Sequence, residues 1–267
     1  MSITNPPKAL FFDVFGTVVE WRTCVTTALS QAAHHALSDP REDLPATTRA
    51  RASAMTPADW KTVAEAWRAS YSRFTHSWDP QAQGVFISVD QHHYKSLGEL
   101  LEERDLGDLF TEEERWELAL CWHRLEPRAD SARGLELLSS RFRTSTLSNG
   151  NVALLEDLVR HGSLPFTNVL SAEHFGAYKP SSKVYLGAAE RFGLRPAECA
   201  MVAAHLFDLQ AAKGLGFQTV YVERKQEEAF SAEDMARAND PEKGYVDMWV
   251  GLGEDGFIEV ARRFDIS

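Results

Sequence analysis

The sequence predicts an α/β protein: a parallel sheet covered on both faces, interrupted after its first strand by a helical insertion. Three observations carry that reading. Ala9 to Phe12 is a short aromatic run without alternation, as expected of a strand buried on both faces. From Asp130 onward strand-like and helix-like stretches alternate, the pattern of parallel strands joined by crossover helices. Between about Trp21 and Leu125 the periodicity is helical, with hardly any strand-like runs. The 267 residues, 44% of them hydrophobic, suffice for a proper core in one large domain or two.

The first strand ends on Asp13, and a charged residue at the end of a buried strand needs a reason. In an open α/β sheet ligands bind in the crevice outside the carboxyl ends of the strands, so Asp13 stands where chemistry is usually done. Gly16 lets the chain turn tightly, and Thr17 can hydrogen-bond back toward the carboxylate. Taken alone, such an aspartate is also a way to cap the next turn.

In the insertion, Trp60, Val63, Ala64, Trp67 and Tyr71 recur at spacings of three and four and share one helix face. Ser38 to Arg51 and Ser77 to Gly84 read as connections between helices. Thr111 with Glu114 forms a capping box that opens a helix through Trp116, Leu120 and Cys121 to His123, and Pro127 closes the unit. Further strands are expected at Thr144 to Leu147, Asn168 to Ser171, Cys199 to Ala203, Thr219 to Val222 and Met248 to Val250. Gly193, and Gly214 with Gly216, follow helices as C-terminal stops, and a last helix is expected from Glu254 to Phe264. Residues 225–245 are charged, poor in strand formers and read as a surface excursion. The layout is a core of residues 1–20 and 127–267, with residues 21–126 as a helical cap that leaves beside Asp13 and sits over the sheet edge as a lid.

A net charge of −11 without a basic face argues against nucleic acid and for a small-molecule partner. Cys24, Cys121 and Cys199 are odd in number and lack ligand spacing, so they read as reduced, buried thiols of a cytoplasmic protein. No apolar run approaches the roughly 20 residues that span a bilayer, and residues 1–8 lack the order of a secretory signal, so no membrane association is expected.

The later strands deliver polar groups to the same edge. Leu147-Ser-Asn-Gly150 offers a hydroxyl, an amide and free backbone N–H groups able to hold a small anion. Gly176-Ala-Tyr-Lys-Pro180 sets a lysine where it can keep a buried carboxylate ionised. Val202-Ala-Ala-His-Leu-Phe-Asp208 presents His205 and Asp208. Singly, these are an N-cap and turn, a solvated lysine, and a cap or satisfied core residue. Jointly they are hard to explain that way.

With Asp13, Ser148, Lys179 and Asp208 at four successive motifs, the chain resembles the haloacid dehalogenase superfamily over nearly its whole length. The resemblance implies a Rossmann-like doubly wound core with an inserted α-helical cap. Phosphatase members carry a second Asp two positions after the nucleophile, which helps to seat Mg²⁺; here that position is Phe15. Phosphoryl transfer to a carboxylate needs a metal or several cations to offset repulsion, and one lysine beside one aspartate suits a singly charged organic acid better. Phe12-Asp-Val-Phe-Gly-Thr-Val-Val-Glu-Trp-Arg22, Trp67-Arg68 with Tyr71, and Tyr178-Lys-Pro180 with Val184-Tyr185 resemble the type II L-2-haloacid dehalogenases.

That resemblance implies metal- and cofactor-independent hydrolysis of small 2-haloalkanoic acids, with a halogenated carboxylic acid and water as partners and halide as a product. By position, Asp13 would be the nucleophile and Arg68 the lid arginine that receives the halide. Val14, Phe15, Thr17, Ser148 and Asn149 would hold substrate and halide. Lys179 and Tyr185 would support the carboxylates, and Asp208 would orient the hydrolytic water. The departure lies at Ala203 and His205, where well-known members place Ser and Asn; the similar Ala-Ala-His subgroup includes enzymes of haloacetates. His205 is read either as base on the water or as a hydrogen-bond partner of Asp208. Relatives are often dimers, so a homodimer is one expectation, with exposed lid aromatics such as Trp78 at its interface. The competing readings are a Mg²⁺-dependent phosphatase or phosphonate hydrolase and a non-catalytic binder of small carboxylates.

Overall fold

The computed structural model describes residue 3 and residues 5–39, 43–79 and 85–267. Strand β1 (Ala9–Phe12) is fully buried, and its aromatic pair shows why. Successive side chains of a strand point to opposite faces. Phe11 meets Phe192 and Phe217, whereas Phe12 meets Phe166 and Phe257, so each face of the strand packs against its own aromatic layer. Burial of each such ring contributes roughly 1.5–3 kcal/mol.

A two-residue strand β2 (Val19–Glu20) leads into α1 (Arg22–Ser38), α2 (Ala46–Ser53), α3 (Pro57–Ser77), α4 (Val89–Glu102) and α5 (Glu112–Ala119). A 3₁₀ turn over Leu120–Arg124 and a second short strand, β3 (Glu126–Pro127), close the segment. β2 and β3 pair antiparallel, with Val19 opposite Pro127 and Glu20 opposite Glu126, so the helical segment leaves and returns side by side. Helix α3 starts at the Thr56–Asp59 capping box with Pro57 in its first turn. It buries Trp60, Val63, Ala64, Trp67 and Tyr71 against α1 and α4, the face that the spacing predicts.

The remainder alternates α6 (Ser131–Ser139), β4 (Arg143–Thr146), α7 (Val152–His161), α8 (Ser182–Arg191), β5 (Cys199–Ala203), α9 (Leu206–Gly214), β6 (Gln218–Val222), α10 (Ala232–Ala238), β7 (Met248–Val250) and α11 (Gly256–Arg263). The sheet is parallel throughout, in the order β4-β1-β5-β6-β7. β1 lies between β4 and β5 with Phe12 level with both Thr146 and Val202, so Asp13, Leu147 and Ala203 emerge together at the carboxyl edge.

Four expectations need correction. Asn168 to Ser171 is not a regular strand but two isolated bridges, Ser145 to Asn168 and Ser148 to Ser171. Side-chain hydroxyls take over ladder bonds there: Thr144 N–H donates to Thr167 Oγ1, and Leu170 N–H to Thr146 Oγ1. The connection read over Ser38 to Arg51 holds the start of α2; residues 40–42 of it, and residues 80–84 of the connection at Ser77 to Gly84, lie outside the described residues. The helix opened by Thr111 tightens to 3₁₀ from Leu120. Trp78 is half-buried rather than exposed, its ring packed against Phe74, Phe86 and Tyr178. Cys24, Cys121 and Cys199 are free thiols; Cys121 and Cys199 are buried and Cys24 half-buried. No helix of the described residues is long and apolar enough to cross a membrane.

Candidate active site

At the centre of the edge, Asp13 is buried and its side-chain oxygens are met by three donors. Oδ1 accepts from Lys179 Nζ at 3.0 Å; Oδ2 accepts from Thr17 Oγ1 at 2.9 Å and from His205 Nδ1 at 3.1 Å. Burial alone pushes a carboxyl upward, but the Lys179 charge and then His205 more than reverse it, holding Asp13 far below the usual carboxylate range. Thr17 Oγ1 also accepts from Ala204 N–H at 2.9 Å, tying the turn after β1 to the end of β5. That turn is pinned from outside, since Arg128 donates to Gly16 O at 3.2 Å and Arg224 to Thr17 O at 3.1 Å.

Lys179 is shared. Its Nζ donates to Asp208 Oδ2 at 2.6 Å, and Tyr185 Oη donates to Asp208 Oδ1 at 2.6 Å. Burial opposes the lysine charge, yet Asp13 and Asp208 raise it well above its usual value. Burial and then the Tyr185–Asp208 contacts push the Tyr185 hydroxyl far up, so it stays a donor. Asn149 positions the lysine backbone twice: its Oδ1 accepts from Lys179 N–H at 2.7 Å and its Nδ2 donates to Lys179 O at 3.3 Å.

The carboxylates, Lys179 and Asn149 open into a cavity of about 210 Å³ roofed by Arg68, Tyr71, Ser72, Thr75 and His76 of α3. The Arg68 guanidinium lies 4.6 Å from the Tyr71 ring, 5.6 Å from Phe15 and 5.9 Å from Trp21, held over aromatic faces.

The structure therefore brings Asp13, Arg68, Asn149, Lys179, His205 and Asp208 to one cavity. Val14, Phe15, Thr17, Ser148 and Tyr185 stand behind it. Phe15 packs edge-on against Tyr71 and Trp122, and Ser148 Oγ accepts from Gly150 N–H at 3.3 Å. His205 turns to Asp13 and Glu227 rather than to Asp208, whose oxygens are taken by Lys179 and Tyr185.

Glu227 is the residue that sequence reading missed. The stretch taken for a surface excursion carries it into the site with its side chain 3% exposed. Oε1 accepts from Arg22 at 2.6 Å and Arg128 at 3.1 Å, while Oε2 accepts from Trp21 Nε1 at 3.1 Å and lies 3.7 Å from His205 Nε2. Burial raises its pKa, but His205 and Arg22 outweigh that and bring it to about 2. Burial lowers His205, but Asp13 and Glu227 overcome it and hold the imidazolium up to about 9.

Because the Glu227 pKa falls on folding, from an ordinary 4.5 to about 2, its contribution to stability is present above pH 4.5 and is lost as pH drops through 2. The wild type should thus lose up to about 3 kcal/mol more stability than Glu227→Gln between pH 5 and 2, measured by urea unfolding. Equal losses would show that Glu227 titrates normally.

This donor set does not suit a divalent cation. Both oxygens of Asp13 and of Asp208 are occupied by protein donors, and the neighbouring position that could offer another carboxylate holds the packed Phe15 ring. Among the described residues, no group of three or more His, Cys, Asp or Glu is placed to hold a metal ion.

A buried aspartate at the edge of a parallel sheet, joined through a lysine from the third motif to an aspartate from the fourth, defines a class of α/β hydrolase. The sequence model of the haloacid dehalogenase-like hydrolases matches residues 7–216, and the chain belongs to that family. Within it the chain is 27% identical to (S)-2-haloacid dehalogenase 1 of Pseudomonas sp. strain CBS-3, over 82% of this chain and 86% of the relative. Among solved structures it is similar to the L-2-haloacid dehalogenase PA0810, with a TM-score of 0.76, 30% identity and coverage of 98% of this chain and 99% of the other. It is also similar to the defluorinating L-2-haloacid dehalogenase Rha0230, with a TM-score of 0.77, 28% identity and coverage of 97% and 95%.

Proposed function

We propose that the chain hydrolyses the carbon–halogen bond of small 2-haloalkanoic acids, haloacetates and 2-halopropionates among them, to 2-hydroxy acids through an ester on Asp13, without a metal. The observation that carries this is an ionised, desolvated Asp13 facing a small cavity under Arg68, with the Phe15 ring where a second carboxylate would help to hold a cation. The relatives' names agree with that chemistry, and Rha0230 is named as defluorinating.

Charge and size narrow the substrate. The cavity lining carries Arg22, Arg68, Lys179 and protonated His205 with Asp13, Asp208 and Glu227, and Glu227 is paired to Arg128 as well, so the site is cationic overall and suits a small anion. About 210 Å³ is below the roughly 300 Å³ at which drug-sized pockets begin, which fits an acid of a few heavy atoms.

In the first step an Asp13 oxygen attacks the carbon bearing the halogen, and the halide leaves with the bonding pair toward Arg68. Hydration makes a carboxylate a poor nucleophile, so residues 21–126 act as a lid that excludes water and holds the attack geometry over the core of residues 1–20 and 127–267. Water then adds to Cγ of Asp13 and the hydroxy acid departs. The free thiols fit a reducing, cytoplasmic setting.

Fluoroacetate, chloroacetate and both 2-chloropropionate enantiomers test the reading by release of free halide. Halide should appear from at least one of them at a rate unchanged by excess EDTA. Phosphate-ester cleavage that EDTA stops, with no halide released, would favour the magnesium-dependent alternative.

A further inference from the structure

Displacement at Asp13 makes no use of Glu227, yet its place in the site is built. Gly16, at φ 85°, leaves the space it occupies: a Cβ there would fall 2.4 Å from Glu227 Oε2. Trp21, Arg22 and Arg128 fix both carboxylate oxygens, and the neighbouring Glu228 anchors the loop by accepting from Leu206 N–H at 2.8 Å, the first residue of α9 after His205. Oε2 faces His205 Nε2, and His205 Nδ1 lies 3.1 Å from Asp13.

We infer that Glu227 is the positioning residue of the hydrolytic step: it holds a proton on His205 Nε2, so that Nδ1 becomes the base for water once Asp13 is esterified. The inference rests on the dehalogenase reading.

While Asp13 is a carboxylate, His205 stands between two anions, with Arg68 the opposing cation, and keeps both ring protons. In that state it cannot accept a proton from water. Ester formation removes the Asp13 charge and leaves the ester oxygens poor partners for Nδ1–H. The Nδ1 proton then goes to solvent; it is the one proton that replacing halogen by hydroxyl releases overall. Glu227 keeps Nε2–H in place, so the lone pair of Nδ1 points at the ester. As the water oxygen bonds to Asp13 Cγ, Nδ1 takes one of its protons. When the intermediate collapses, the alkyl oxygen leaves with the electron pair of its bond to Cγ and takes that proton, giving the hydroxy acid. The proton of the regenerated Asp13 carboxyl passes to Nδ1, which restores the starting pair.

Glu227→Gln preserves size and removes the charge. With chloroacetate, rapid-quench measurement should show a chloride burst approaching one per site at a rate within a few fold of wild type. Steady-state turnover should then be about 100-fold slower, with the carboxymethyl ester accumulating on the Asp13 peptide by mass spectrometry. Steady-state turnover within threefold of wild type, or parallel loss of burst and turnover without ester, would overturn the role of Glu227. If the Gln variant does not fold, Glu227→Asp serves, with ester hydrolysis slowed more than the burst as the expected result and equal loss of both as the contrary one. Absence of halide release by the wild type from all four acids named above would sink the dehalogenase reading itself.

Discussion

Replacing Asp13 by Asn is expected to abolish halide release, lowering turnover by at least about 10⁴-fold. The amide is nearly isosteric: its one oxygen can still accept from Lys179, and its NH2 in place of Oδ2 can donate to Thr17 Oγ1, so the cavity should keep its shape and substrate binding should change little. What disappears is the charge that Lys179 and His205 hold on the carboxylate. No other acidic side chain in the cavity can replace it. Asp208 has both oxygens in hydrogen bonds to Lys179 and Tyr185, and Glu227 is gripped by two arginines and a tryptophan. Halide release by a freshly purified Asn variant at the wild-type rate would mean that the nucleophile lies elsewhere, while equal thermal midpoints would exclude unfolding as the cause of a loss.

Arg68→Ala should lower halide release by about 10²–10³-fold, mainly in kcat. Negative charge appears on the halogen only as the carbon–halogen bond breaks, so a cation preorganised beside it acts chiefly on the transition state. The guanidinium is held by stacking on Tyr71 and by proximity to Phe15 and Trp21, with no carboxylate ion pair among the described residues, and so its charge stays available. Arg68→Lys should recover little, because a compact ammonium neither stacks on those rings nor reaches the same point in space. Full activity of the Ala variant would remove Arg68 from the account.

The parts of the fold and site legible in the sequence are those that announce themselves locally. The run Ala9 to Phe12 could only be a strand buried on both faces, and the spacing of Trp60, Val63, Ala64, Trp67 and Tyr71 gives the buried face of α3 directly. Asp13, Lys179 and Asp208 were readable because each ends or follows an apolar run at the same edge. Ser148 was readable only as one of two things, since a hydroxyl next to a turn glycine can satisfy local N–H groups as readily as a ligand, and its Oγ accepts from Gly150 N–H. Glu227 was not readable. It sits in a charged, aperiodic stretch, and its importance comes from partners near residues 16, 21, 22, 128 and 205 that only the folded chain assembles. Gly16 left a trace of it, since a glycine close to Asp13 can mark a close approach by another group, but nothing local names which group. Asn168 to Ser171 failed as a strand because the threonines around it compete for the same backbone bonds.

The central claim is that the oxygen delivered to substrate comes from Asp13 and is replaced from water. It is tested most directly by one turnover in H₂¹⁸O with enzyme in excess over chloroacetate, followed by mass analysis of the product and of the peptide spanning residues 9–22. The account predicts unlabelled glycolate and one ¹⁸O on Asp13. Labelled glycolate from that first turnover, with Asp13 unlabelled, would contradict it.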